Sequence, residues 1–277
     1  MKVIAFTFAG REDRMPLLEK HVQKALDSNL IDEWHVWDFC RDINDKEWLN
    51  KYFLDKEKIH IKKRLFADKP KYWSHAYTFY SNDEYSDCIF IKIDDDVPYF
   101  DVKELPNFIN FIKNLDEKDF VSANVINNPI CFDFQKNNKY FEESGLIFNE
   151  KELYDSYANS KELHKYFLKN YDFIKNKAKN SSKIEVLTDS IRISINFIGF
   201  KHGFLKYFVD LFEKTKSHDD EEIISTFHRE INKSNCYIYE SFLASHIAFN
   251  SQEKDTPKES KLDVVDLYNK FTEKLVF

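Results

Sequence analysis

The chain has 277 residues, 43% of them hydrophobic and 17% aromatic, which is ample for a core and excludes disorder over most of its length. Its formal net charge is −7, with 41 basic residues interspersed among 48 acidic ones and no long single-sign tail, so nucleic-acid binding gains little support. Four glycines and six prolines argue against a glycine-rich phosphate loop and against repetitive all-β architectures.

The N-terminal "KVIAFTF" is a short, nearly all-apolar run of the kind a strand covered on both faces requires. "MPLLEKHVQKAL" follows with helical spacing and a proline suited to the first turn. "EWHVWDF" and "KIHIKKRL" read as strands on either side of a short helix, "NDKEWLNKYF". "YWSHAYTFYSN" looks helical, and "DCIFIKI" is the most buried strand. A helix over about 102–115 and a strand "DFVSANVI" continue the alternation. Residues 136–182 are rich in Lys, Asn, Tyr and Glu and read as a helical insertion. The pattern then resumes with a strand in "IRISINFIGF", a helix "FLKYFVDLFEK", a strand "CYIYESF" and an amphipathic C-terminal helix. Alternating strands and helices imply an α/β fold, a mostly parallel central sheet flanked by helices.

With no clear linker, 1–277 reads as one domain, 1–126 forming one half and 127–277, with its insertion at about 136–182, the other. The cysteines, Cys40, Cys88, Cys131 and Cys236, form no C-x-x-C pair and fit reduced thiols. No run approaches the ~18 apolar residues of a transmembrane helix, and the N-terminus lacks a cleavage site, so a soluble cytoplasmic protein is expected.

Residues 89–100, "IFIKIDDDVPYF", end a buried strand in three carboxylates, Asp94, Asp95 and Asp96. Ligands of such sheets bind at the carboxyl ends of the strands. Crowded carboxylates repel one another, and burial raises their pKa values, strains that a bound divalent cation relieves. A solvated acidic turn before the next helix is the bland alternative.

An apolar strand ending in D-x-D, about a hundred residues into such a chain, resembles the GT-A glycosyltransferases, whose fold is Rossmann-like. The resemblance implies transfer of a sugar from a nucleoside-diphosphate-sugar, UDP- first and GDP- second, to a glycan or glycolipid acceptor. It implies Mn²⁺ (or Mg²⁺), with Asp96 as direct ligand, Asp94 as ribose or metal-water contact, and Asp95 between them. It also implies a C-terminal histidine returning to the metal, and His246 in "SHIAFNSQ" is the best placed. In "TFAGREDRM", Thr7, Phe8, Ala9 and Arg11 are donor-site candidates, with Arg11 or Arg14 able to reach phosphate. In "KPKYWSHAY", Lys71, Tyr72 and Trp73 lie where the nucleoside is expected, although core packing explains Trp73 equally well.

"KSHDDEEIISTF" offers a base for the acceptor hydroxyl, Asp220 before Asp219 and Glu221, and is equally a capped helix N-terminus. Inversion is favoured, with retention left open. Ser194 and Asn196 alternate with apolar neighbours and are expected on one face of a strand. Bacterial surface polysaccharide assembly, in capsule or lipooligosaccharide, is the implied setting, at the inner face of the cytoplasmic membrane and without a membrane span. The rivals are a metal-dependent phosphohydrolase or nucleotidyltransferase, a calcium-dependent sugar-binding module and a degenerate scaffold.

Overall fold

The computed structural model describes residues 1–63, 73–142, 144–181, 184–187, 191–254, 256 and 258–275. Among the described residues nine strands form one sheet: β1 (Lys2–Ala9), β2 (Glu33–Asp38), β3 (Ile59–Lys63), β4 (Cys88–Ile93), β5 (Tyr99–Phe100), β6 (Phe120–Ile126), β7 (Ile184–Leu187), β8 (Phe197–Lys201) and β9 (Cys236–Ser245). Their order is β3-β2-β1-β4-β8-β6-β9-β5, with β7 pairing on β9. The pairs β1–β2, β1–β4, β2–β3 and β6–β9 are parallel, while β8 runs antiparallel between β4 and β6. Six strands therefore share one direction, and their carboxyl ends lie on one edge of the sheet. The α/β architecture, mostly parallel and flanked by helices, is the expected one.

Local chemistry sets the elements. Every residue of β4 and of β6 is buried, Lys92, Ser122 and Asn124 included, which explains why both read as largely apolar runs. Helix Met15–Asp27 begins with proline in its first turn and buries Leu17, Leu18, Val22, Ala25 and Leu26 along one face. Asp42 caps helix Ile43–Tyr52 by accepting from the Asn44 amide, and Asn128 caps Pro129–Asn137 in the same way. Gly199 in β8 packs so tightly under helix Leu105–Lys113 that a Cβ would run into Ile112.

The stretch between β6 and β8 is largely helical, with helices Glu150–Asp155, Tyr157–Lys169 and Tyr171–Ser181. It builds a second apolar cluster, around Phe132, Tyr140, Phe167 and Ile247, beside the main cluster on the sheet.

One expectation needs correction. "IRISINFIGF" is not strand throughout, because β8 starts only at Phe197. Before it, the backbone carbonyls serve side chains and a turn instead of a ladder. Ser194 accepts from Asn128, Ile195 from Lys92, and Asn196 from the Asp94 amide. The expected strand "CYIYESF" is present as the start of β9, which runs on to Ser245 and slips register against β6 between Ala123 and Asn124, where a bulge interrupts the pairing.

Candidate active site

The three aspartates follow directly on β4, at the edge where the parallel strands end. The Asp94 amide donates to the Asn196 carbonyl at 2.8 Å, and the Val97 amide closes a turn on Asp94 O at 3.2 Å. His246 arrives from the far end of the chain as the residue following β9. Its amide donates to Ile126 O at 3.0 Å, and the next amide, of Ile247, donates to Asp96 O at 2.9 Å. The sheet itself therefore delivers the histidine to the aspartate. Asn127, at φ 66°, clamps the turn by donating to the carbonyls of His246 and Ile247 at 3.0 and 3.1 Å. The Phe249 ring packs on the imidazole at 4.4 Å between centroids.

Each aspartate has its own cationic partner. Asp94 is bound by Lys92, two residues earlier on the same face of β4, and accepts from Asn196 Nδ2 at 3.2 Å. Asp95 accepts from the Gly10 amide at 2.8 Å and from Arg11 Nε at 3.0 Å, which ties down the loop after β1. Asp96 Oδ2 faces His246 Nε2 at 3.1 Å, Arg11 Nη2 at 3.0 Å and Arg14 Nη1 at 3.5 Å. Arg14 also binds Glu253, beyond His246. Burial works to raise Asp96, but Arg11, His246 and Arg14 together hold its carboxyl well below the usual carboxylate range. For Asp95 burial prevails over Arg11, and its carboxyl is raised. Burial opposes the Lys92 ammonium, yet Asp94 and Asp220 outweigh it and raise its pKa.

One donor atom from each of Asp94, Asp96 and His246 lies within 4.8 Å of the others. Asp96 Oδ1 and His246 Nδ1 are buried without a hydrogen-bond partner among the described residues. Two carboxylates, one imidazole and an unspent buried oxygen fit a divalent ion.

The cleft beside this cluster, about 450 Å³, is lined by Phe8, Gly10, Arg11, Phe39, Arg41, Trp73, Asp94, Asp95, Asp220, Asn250 and Glu253. Phe8 stacks on Phe39 at 4.4 Å. Trp73 is buried, and its indole N–H donates to His218 O at 2.9 Å, so it joins the core while lining the cleft. Thr7 and Ala9 are wholly buried. The Thr7 hydroxyl accepts from the Trp34 indole at 3.0 Å, and neither residue reaches the cleft wall. Lys71 and Tyr72 lie outside the described residues.

The second acidic cluster divides. Asp219 caps helix Asp220–Glu222 by accepting from the Glu221 amide at 2.9 Å, and both Asp219 and Glu221 bind Arg192 at the surface. Asp220 alone turns to the cleft, where it accepts from Tyr77 Oη at 3.0 Å. Burial, with Asp94 nearby, raises its pKa against the opposing pull of Lys92. Capping and an inward carboxylate therefore coexist one residue apart. Lys92 and Tyr77 were not named as site residues from the sequence. A lysine in an apolar strand, two residues before the first aspartate, is the signal that points to Lys92.

A larger hollow, about 770 Å³, lies between β5 and the helices Tyr157–Lys169, Tyr171–Ser181 and Lys258–Thr272. Its buried carboxylate, Asp101, is paired with Lys175 at 2.8 Å, and no histidine lines it. Chemistry, not volume, selects the smaller cleft.

No family model and no curated protein matches the sequence. Among solved structures the chain is similar to CMP:2-keto-3-deoxy-manno-octonic acid synthetase complexed with CTP, at 9% identity over 99% of this chain and 100% of that one, TM-score 0.49. It is similar to 4-diphosphocytidyl-2C-methyl-D-erythritol synthase from Anaerococcus prevotii, at 10% identity over 99% and 96%, TM-score 0.46. A third is the galactosyltransferase LgtC in complex with donor and acceptor sugar analogues, at 9% identity over 99% and 96%, TM-score 0.44. At such scores the likeness carries no argument about chemistry.

Proposed function

We propose that the chain is a glycosyltransferase of GT-A type, moving a sugar from a nucleoside-diphosphate-sugar, UDP- first and GDP- second, to a glycan acceptor. The observation that carries this reading is the meeting of Asp94, Asp96 and His246, about 150 residues apart in sequence, beside a cleft that also holds the inward carboxylate Asp220. Bacterial surface polysaccharide assembly is the setting the reading implies.

Electrostatics support a divalent ion in that arrangement. Arg11, Arg14 and Lys92 already match the three aspartates in number. A diphosphate entering the cleft brings further negative charge into a site of low dielectric, which calls for positive charge the protein has not already spent. Asp94, Asp96 and His246 would hold Mn²⁺ in preference to Mg²⁺, because imidazole is a poor partner for the harder ion. Bound there, the ion would supply Lewis-acid stabilisation of the departing diphosphate.

The remaining chemistry belongs to the chain. Arg11, with its side chain 39% exposed at the cleft, can turn from Asp95 to a phosphate oxygen. Phe8, Phe39 and Trp73 offer aromatic surface to a nucleoside. Asp220, its pKa raised by burial, accepts the proton of the acceptor hydroxyl in an inverting transfer, with Tyr77 fixing its orientation.

The arginine-bearing loop after β1 also favours a second reading, nucleotidyl transfer from a nucleoside triphosphate to a sugar. Product analysis separates the two. Release of a nucleoside diphosphate from UDP- or GDP-sugars with Mn²⁺ supports glycosyl transfer. Pyrophosphate release from CTP or UTP, with no turnover of any nucleotide sugar, overturns it.

A further inference from the structure

Among the described residues, two groups of three His, Cys, Asp or Glu side chains bring ligand atoms within 4.8 Å of one another, and the second lies away from the aspartates. We propose that Glu33, His35 and His60 form a second metal site, for a borderline divalent transition ion such as Zn²⁺.

The backbone places these side chains together. Glu33 opens β2, and His35, two residues on, shares its face. His60 on β3 lies directly opposite His35 in the parallel ladder. His35 Nε2 is 3.0 Å from Glu33 Oε2, and His60 Nε2 is 3.9 Å from Glu33 Oε1. The two imidazoles stand 5.4 Å apart at 76°, so they do not stack and both turn a ring nitrogen to the same carboxylate. Zinc bonds of about 2.0–2.1 Å in a tetrahedron separate neighbouring ligand atoms by roughly 3.3 Å. Small side-chain adjustments bring all three to that spacing.

The outer contacts suit a ligand set as well. His35 Nδ1 lies 2.9 Å from Tyr80 Oη, which accepts from the Trp37 indole N–H at 2.8 Å. That pair fixes the imidazole plane, as partners of a ligating histidine do. Without metal, Nε2–H donates to Glu33 and the Tyr80 hydroxyl donates to Nδ1. With metal on Nε2, the proton moves to Nδ1 and the phenol oxygen accepts it. The site is anchored below and reachable above: His35 is buried, while the side chains of Glu33 and His60 are 27% and 46% exposed.

Lys2 competes. Its Nζ sits 2.6 Å from Glu33 Oε1, and Lys62 also lies near His35. Lys2 is 43% exposed and returns to water at little cost. The cluster belongs to the amino-terminal part of the strands, since Glu33 pairs with Ile4, whereas the cleft lies beyond Ala9 and Asp38 at the other end. An ion here would clamp the edge strand β3 to β2, a structural role independent of the proposed transfer.

Titration of the full chain with Zn²⁺ by calorimetry, and with Co²⁺ as a visible probe, tests the site. His60→Ala, at an exposed position, is expected to lose one equivalent or weaken it more than about tenfold, with its far-UV circular dichroism intact. His246→Ala is expected to keep that equivalent, and Lys2→Ala to tighten it. Unchanged stoichiometry and affinity in His60→Ala, or loss of all Zn²⁺ binding in His246→Ala, overturns the proposal. Should Glu33→Gln fail to fold, the His60 and Lys2 variants still decide.

Discussion

Residues 94–96 and 219–222 are runs of three and four carboxylates, yet the fold treats them in opposite ways. The first run follows an entirely buried strand, and each member is drawn onto a cation of the interior or the cleft wall. The second opens a surface helix and is split. Asp219 and Glu221 share the partly exposed Arg192, while Asp220 alone points at Tyr77 and the cleft. What a carboxylate can do is set by the face it occupies and the partner it meets, not by the density of charge around it.

The largest effect expected from this contrast follows Asp96→Asn. Removing one carboxylate of a buried ion cluster leaves Arg14 to Glu253 and Arg11 to Asp95, each short of one charged partner, which costs about 1–3 kcal/mol. Thermal or urea unfolding should show that loss, and turnover should fall to background. Asp220→Asn removes the proposed base and should lower kcat by about 10²–10⁴ while leaving nucleotide binding and stability close to wild type. In the wild-type protein, the acid limb of kcat/KM for the proposed transfer should lie above the ordinary carboxylate pKa of about 3.9, because burial raises Asp220 and a base must be ionised to act. A limb at or below that value would reassign the base.

The contrast also has a counterpart among the neutral interior groups. Burial lowers His21 to about 3 and His35, His164 and His228 to about 4. Their folded values lie below the unfolded value of about 6.5. The unfolded chain therefore binds more protons below that pH, so their contribution is complete above it and is lost as the pH falls towards 4. A drop in Tm of at least ~5 °C between about pH 7 and about pH 5 is expected from thermal scans. A flat profile would place these histidines in a wetter interior. The smallest effects belong to Asp219→Asn and Glu221→Gln, about 1 kcal/mol or less in stability from a weakened cap and surface pairs, with turnover within about threefold of wild type.

Much of this was legible in the sequence for physical reasons that can be named. β1, β4 and β6 announce themselves because strands buried on both faces are largely apolar. The aspartates stand out because they break such a run. His246 was legible only through the resemblance, since nothing local to "SHIAFN" reveals that the β9 backbone will carry it to Asp96. The late start of β8 was hidden because the carbonyls before it are taken by Asn128, Lys92 and the Asp94 amide, partners remote in sequence. The break between helices Tyr157–Lys169 and Tyr171–Ser181 falls at Asn170, without a glycine or proline to mark it. The division of 219–221 depends on Arg192 and Tyr77 arriving from elsewhere, which no local pattern encodes.

The proposed transfer requires Asp94, Asp96 and His246 to act together in receiving a nucleoside diphosphate. Calorimetric titration of UDP and GDP, with and without Mn²⁺, into the wild-type protein and His246→Ala tests that most directly. One of these nucleotides is expected to bind only with Mn²⁺ and more than about tenfold more weakly to His246→Ala. Equal affinity with and without Mn²⁺ in both proteins, or no binding of either nucleotide, would contradict the proposed transfer.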